Sequence, residues 1–186
     1  MLGHLDWMPS RARPDLLAPA VATAIDAWPA AEGEPAPEVL VAEIDPELAD
    51  TAVFCSRYDV PLAASANCVV IAGRRAGETR RAACVVLATT RADVNNLVRR
   101  RLDARRASFA SMDEAVAATG MEPGGITPIG LPAEWPLLID AAVAAAPEVV
   151  VGSGVRRSKL CLPGSALAGL RGAEVLTDLG RPLPPS

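Results

Sequence analysis

The chain has 186 residues, with 18 basic against 22 acidic side chains, a net charge of −4 and a hydrophobic fraction of 51%. That length suits one domain whose core closes without disulfides, and the mildly acidic balance argues against a protein that coats long nucleic acid, so DNA is not an expected partner. No apolar run approaches the ~20 residues that cross a bilayer, and residues 1–7 have neither the basic start nor the apolar stretch of a secretory signal, so a cytoplasmic location without membrane contact is expected.

In chain order, Leu16, Leu17, Ala20, Val21, Ala24 and Ile25 recur at helical spacing and predict an amphipathic helix over 14–28, with Pro14 in its first turn. Its apolar stripe suits packing on the same domain or contact with a partner. The Pro- and Ala-rich stretch 29–37 reads as a linker, so residues 1–37 form an N-terminal helix and linker ahead of a main body over 38–180. Val39–Ile44 predicts a strand, and Asp45-Pro46-Glu47 offers an N-cap, an N1 proline and an early acid for a helix reaching Tyr58. Ala66–Ala72 and Ala82–Ala88 are β-branched runs around the polar turn 73–78, as in a hairpin of buried strands.

A helix is predicted over Ala92–Leu102, with Arg99, Arg100 and Arg101 near its C-terminal end. Together with Arg105 and Arg106 they form either a solvated face or a phosphate-contacting patch. Ser111-Met112-Asp113-Glu114 matches a capping box, and the helix it starts should end at Gly120. The loop 121–132 then concentrates three glycines and three prolines, residues that fix the backbone and let it approach a ligand closely. It is either a ligand-presenting loop or a rigid connector. Strands are predicted at Leu137–Asp140, Glu148–Gly152, Lys159–Leu162 and around Val175, with a short Ala-rich helix after Asp140, another over Ser165–Leu170 and a disordered tail over 181–186. Asp140 reads as a site carboxylate or as the N-cap of the helix after it.

The cysteines, Cys55, Cys68, Cys84 and Cys161, are irregularly spaced and mostly inside apolar runs, which suits reduced core thiols. Zinc requires clustered Cys or His ligands, and the single histidine is His4. Neither a metal nor another cofactor is expected.

The order Ser65-Ala66-Asn67-Cys68-Val69-Val70, then Ala107–Ala110 leading into the Glu114 helix, Thr119-Gly120, Gly124-Gly125-Ile126-Thr127-Pro128-Ile129-Gly130, Leu137–Asp140 and Val149–Gly154 resembles the YbaK/EbsC family. These are free-standing relatives of the editing domain of bacterial prolyl-tRNA synthetases, and the resemblance runs from about Val53 to Leu179. It implies an α/β fold, a mixed β-barrel-like sheet flanked by helices. It also implies hydrolysis of the ester that joins a wrong amino acid to the 3′ end of tRNA, with the tRNA acceptor end as partner.

On this resemblance Gly124, Gly125 and Pro128 shape the loop around the aminoacyl group and the terminal ribose. Asn67 stands where family deacylases usually carry a lysine. Asn67, Gly124 and Gly125 are the candidate catalytic positions. Substrate contact is assigned to Ser65, Thr127, Pro128, Phe54, Met121, Asp140, Gly152, Ser153, Arg156 and Arg157; Arg156, Arg157 and Lys159 lie in and just after a turn that either grips acceptor-end phosphates or is merely solvated. The only lysine, Lys159, lies too far along the chain to replace Asn67 by a register shift. A hollow lined by peptide dipoles, without an ionisable side chain, is therefore expected. An altered deacylase, a non-catalytic binder of an aminoacyl or nucleotide group and a member that has lost its site all remain open.

Overall fold

A computed structural model describes residues 2–28 and 36–183. Two sheets face each other across a shared core. The first contains β1 (Met8–Pro9), β2 (Leu40–Glu43), β9 (Ser158–Leu162) and β8 (Val149–Gly152), in that order and antiparallel. The second, in the order β10-β7-β4-β3-β6, consists of β10 (Ala173–Leu176), β7 (Leu137–Asp140), β4 (Glu78–Leu87), β3 (Ala66–Arg75) and β6 (Arg106–Phe109). It is mixed, since β7 runs parallel to both β4 and β10. A parallel bridge between Ser65 and Val150 joins the sheets at one corner, and β5 (Thr90–Ala92) pairs separately with β11 (Gly180–Pro182). The sheets meet without closing into a barrel.

Strand alternation assigns each residue to a layer. Ala83, Val85, Leu137 and Ile139 meet Val149, Val151, Leu160 and Leu162 in the central core. Their neighbours point outward. Ile71, Cys84, Val86 and Leu138 pack under Val94, Val98 and Leu102, whereas Val150 and Cys161 pack under Phe54 and Cys55 of α2 (Thr51–Tyr58). Strands buried on both faces explain the near-continuous apolar runs of the sequence.

The opening helix is shorter than its periodicity suggests. A 3-10 turn spans Pro14–Leu16, Leu17 is extended, and α1 occupies Pro19–Asp26. The break is tertiary, because the Ala18 amide donates to the Ser153 carbonyl at 3.1 Å instead of entering a helix. α1 still contributes Val21 and Ile25 to the central core. Most of the anticipated linker, 29–35, lies outside the described residues, as do 184–186 of the tail. Arg181 and Pro182, read as tail, are strand residues paired with Arg91 and Thr90.

The segment 45–58 also divides. Asp45 accepts from the Glu47 amide at 2.9 Å and caps only the turn Pro46–Leu48, and Asp50 is extended before α2 begins. The hairpin turn is tighter than expected, with Ala76 and Gly77 both at positive φ, the two-residue connection that matches strand twist. The helix expected over 92–102 starts later: Ala92 is the last residue of β5, and a π turn, Val94–Val98, runs into α3 (Arg99–Arg101), with the Asp93 side chain capping the Asn96 amide. The capping box is present at α4 (Met112–Thr119), which stops at Gly120 with φ 68°. Short helices α5 (Ala141–Ala144) and α6 (Gly164–Ala168) follow their strands.

Candidate functional site

At the corner where the sheets join, a cavity of about 260 Å³ opens beside the first residues of β3. Ser65 and Asn67 form one wall, Gly124 of the loop and Gly152 of β8 another, and Ala49 to Thr51 at the head of α2 a third. Asn67 is fixed by its Oδ1, which accepts from the Thr51 hydroxyl at 2.6 Å. Exposed Met112 sits at the opening.

The loop 121–132 reaches the cavity through close backbone packing. The Gly154 amide donates to the Gly125 carbonyl at 2.7 Å, and the Glu122 amide and Gly125 carbonyl both engage Gly154. A Cβ on Gly125 would lie 2.7 Å from the Val155 backbone. Gly124 adopts φ +80°, a conformation that favours glycine, and a side chain there would strike the Arg156 guanidinium. The glycines thus serve the close approach of loop to β8–β9 turn, and peptide groups line the cavity on that side.

Of the other sequence-predicted residues, Phe54 lies wholly buried under the site and Met121 lies in the central core. Thr127 is buried with no partner for its hydroxyl, outside the cavity lining. Pro128 borders a different cleft, beside Trp28 and Trp135. The Ser153 hydroxyl is bonded to that of Ser158 at 2.7 Å. Asp140 caps α5 through the Ala142 amide at 3.0 Å and accepts from the Gly180 amide at 2.7 Å, so both oxygens serve the backbone. Arg156 lies at the cavity edge, 3.5 Å from Asp50 and donating to the Pro123 carbonyl at 3.4 Å, while Arg157 turns away to the Asp15 carbonyl.

The residue whose place in the cavity the sequence did not reveal is Lys159, which sequence position puts with Arg156 and Arg157 at a basic turn. The pairing of Lys159 with Gly152 and Ala42 directs its side chain to the α2 face of the sheet, into the cavity. Its Nζ donates to the Ala49 carbonyl at 2.9 Å and lies 5.3 Å from the centroid of the Phe54 ring. The break between Pro46–Leu48 and α2 leaves that carbonyl available. The expectation of a hollow without an ionisable group is corrected: an amine stands in the same cavity as Asn67, delivered by a different strand. Burial pushes it down to about 8, the Cys55 and Asp50 charges opposing the shift and Arg156 adding to it. A lysine inside the otherwise apolar strand Ser158–Leu162 was the available signal.

The thiols do not offer nucleophiles, because burial raises all of them, Cys84 to about 12 and Cys161 to about 11, and raises Cys68 at the cavity wall further. Among the described residues no cluster of three His, Cys, Asp or Glu could hold a metal ion, and no helix is long and apolar enough to cross a membrane.

Fold and site together define an α/β domain with a small cavity of mixed polar and apolar lining at a sheet junction, into which Asn67 and one amine project. The aminoacyl-tRNA editing domain model matches residues 45–170, and the chain belongs to that family. Solved structures agree on the fold. A candidate trans-editing enzyme for prolyl tRNA synthetase superposes with TM-score 0.67 at 20% identity, over 86% of this chain and 94% of that one. The hypothetical protein APE2540 gives TM-score 0.70 at 21% identity over 87% and 99%. A scaffold used for epitope backbone grafting gives 0.67 at 22% over 89% and 97%. No curated protein matches the chain.

Proposed function

We propose that this protein is a trans-acting aminoacyl-tRNA deacylase, acting in the cytoplasm on the acceptor end of a mischarged tRNA. The observation that carries the reading is the open cavity between Asn67, Gly124 and Gly152 in a chain of the editing family. Its 260 Å³ is below the ~300–1,000 Å³ of pockets that enclose drug-sized ligands. It suits the aminoacyl group, with the adenosine left toward Met112. Water adds to the ester carbon, the bond from that carbon to the ribose oxygen breaks, and the proton ends on that ribose oxygen. An activated ester needs little beyond position and donors for the developing oxyanion. Incubation with a panel of mischarged tRNAs, alanyl- and cysteinyl-tRNA of the proline isoacceptor included, is expected to release amino acid faster than buffer from at least one. Buffer rates throughout would overturn the catalytic reading.

A second reading, a non-catalytic binder of an aminoacyl or nucleotide group, is favoured by one feature: Asn67 stands where the resemblance implies lysine. Binding of an aminoacyl-adenosine without any release would select it.

A further inference from the structure

We propose that Lys159 is the substrate-contacting cation of this cavity, donating hydrogen bonds to the acyl carbonyl oxygen of the bound aminoacyl ester and holding the negative charge that oxygen gains as water adds. The inference rests on the deacylase reading above and assigns its oxyanion donor. No proton leaves the ammonium in the step; the electron pair of the carbonyl moves onto the oxygen it faces and returns as the ribose oxygen departs.

The geometry supports this role over a structural tie. One hydrogen bond, to Ala49, uses one of the three ammonium donors, and no other is seen for Lys159 among the described residues. The residue is only 7% exposed, and it borders the cavity. The nearby carboxylate, Asp50, pairs with Arg156 instead. A tie between α2 and β9 needs a donor but not a charge, and a buried charge without a carboxylate partner is costly to keep. Lys159 shares the cavity lining with Asn67, so its two spare donors are available to an oxygen bound there. The titratable groups that act on the amine are Cys55 from α2, Asp50 before it and Arg156 from the β8–β9 turn. The ammonium is the working form, so kcat/KM falls as pH rises past about 8.

Because Lys159 is the only lysine, protein grown with 13C- and 15N-labelled lysine gives a single side-chain signal, and the whole chain can be used. The probe is 3′-alanylamino-3′-deoxyadenosine, whose amide keeps the carbonyl oxygen and does not hydrolyse. On titration the Lys159 Cε and Nζ signals are expected to move, and the pH midpoint of the amine to rise, since an oxygen partner favours the charged form. In parallel, Lys159→Met is expected to lower kcat by ~100-fold, the usual cost of losing an oxyanion donor, with KM changed less than threefold. Lys159→Arg is expected to retain part of kcat and to lose the fall above pH 8. Lys159→Met is expected to fold, checked by its thermal transition, because it removes a buried charge. Probe shifts at the Gly124 and Gly152 amides of a second, uniformly 15N-labelled sample with Lys159 unmoved, or undiminished kcat in Lys159→Met, would overturn the role of Lys159 while leaving the deacylase reading intact. Neither probe binding nor deacylation by the wild type would remove that reading, and this role with it.

Discussion

Positive charge stands beside both ends of β3, under opposite conditions. Beside its first residues, Lys159 is withdrawn from water and points into a cavity. At its far end Arg74 and Arg75 stand exposed, with Arg105 and Arg106 on the neighbouring segment. Arg75 meets Asp103 in an exposed ion pair, and Arg101 meets Glu174 in another. Of the predicted basic patch, Arg99 and Arg100 turn back onto the Asn95 and Asn96 carbonyls of their own helix. The exposed cations cost the fold little and contribute little. The buried amine costs stability, which a protein retains when the group has a use in that place.

The largest expected effect concerns stability against pH. In the folded state the amine lies at about 8, below its ordinary 10.5. Below pH 8 both folded and unfolded chains hold the proton, and the folded chain bears the cost of a buried ammonium. Between about 8 and 10.5 the unfolded chain holds more protons, so stability rises with pH across that window. Lys159→Met is expected to abolish the rise and to gain on the order of 3 kcal/mol at pH 7, the size of that shift converted at ~1.4 kcal/mol per unit. Denaturant unfolding of both proteins at pH 7 and pH 10 measures it. Equal pH slopes would mean that the amine is not desolvated.

A second cation in the cavity sharpens the contrast. Asn67→Lys removes the bond to Thr51 and sets two ammonium groups in about 260 Å³. It is expected to cost roughly 1–3 kcal/mol at pH 7, whereas Ser108→Lys, on exposed β6, should stay within about 0.5 kcal/mol. Comparable costs at the two sites would break the comparison. Gly125→Ala tests the packing of the loop behind the cavity, since its Cβ would lie 2.7 Å from the Val155 backbone. A loss of ~1–3 kcal/mol is expected, read as a lowered unfolding midpoint.

Why the sequence disclosed some of this and not the rest follows from the range of the interactions involved. The hairpin strands, the capping box at Ser111 and Glu114 and the strand Leu137–Asp140 are set by neighbours a few residues apart, and they were legible. β6 was read as a lead-in to the Glu114 helix, and its strand character comes from pairing with β3, as in Ile71 with Phe109. β5 and β11 make each other across the chain, Thr90 against Pro182. At the site, Asn67, Ser65, Gly124 and Gly152 do share one cavity. Lys159 follows the basic turn of Arg156 and Arg157, and its separation from Asn67 along the chain hides their nearness in space. The sheet junction at Ser65 and Val150, with the register of Gly152 against Lys159, removes that distance. No spacing rule within either strand encodes it.

The smallest expected effect lies at the other end of β3. Arg75→Ala removes an exposed pair in which Arg75 is 53% and Asp103 64% exposed. Such pairs gain little because water screens them and two long side chains must be held in place, so a loss of no more than about 1 kcal/mol is expected. Salt separates this end from the cavity. At the surface, ions within a Debye length of ~8 Å at physiological strength weaken the pair, so the difference between Arg75→Ala and the wild type should vanish in 1 M NaCl. The difference between Lys159→Met and the wild type should persist there, because its origin is removal of the ammonium from water and not attraction across solvent. Unfolding both variants at low and high salt checks the two statements together, and a Lys159 effect that disappeared with salt would mean that its charge is solvated after all.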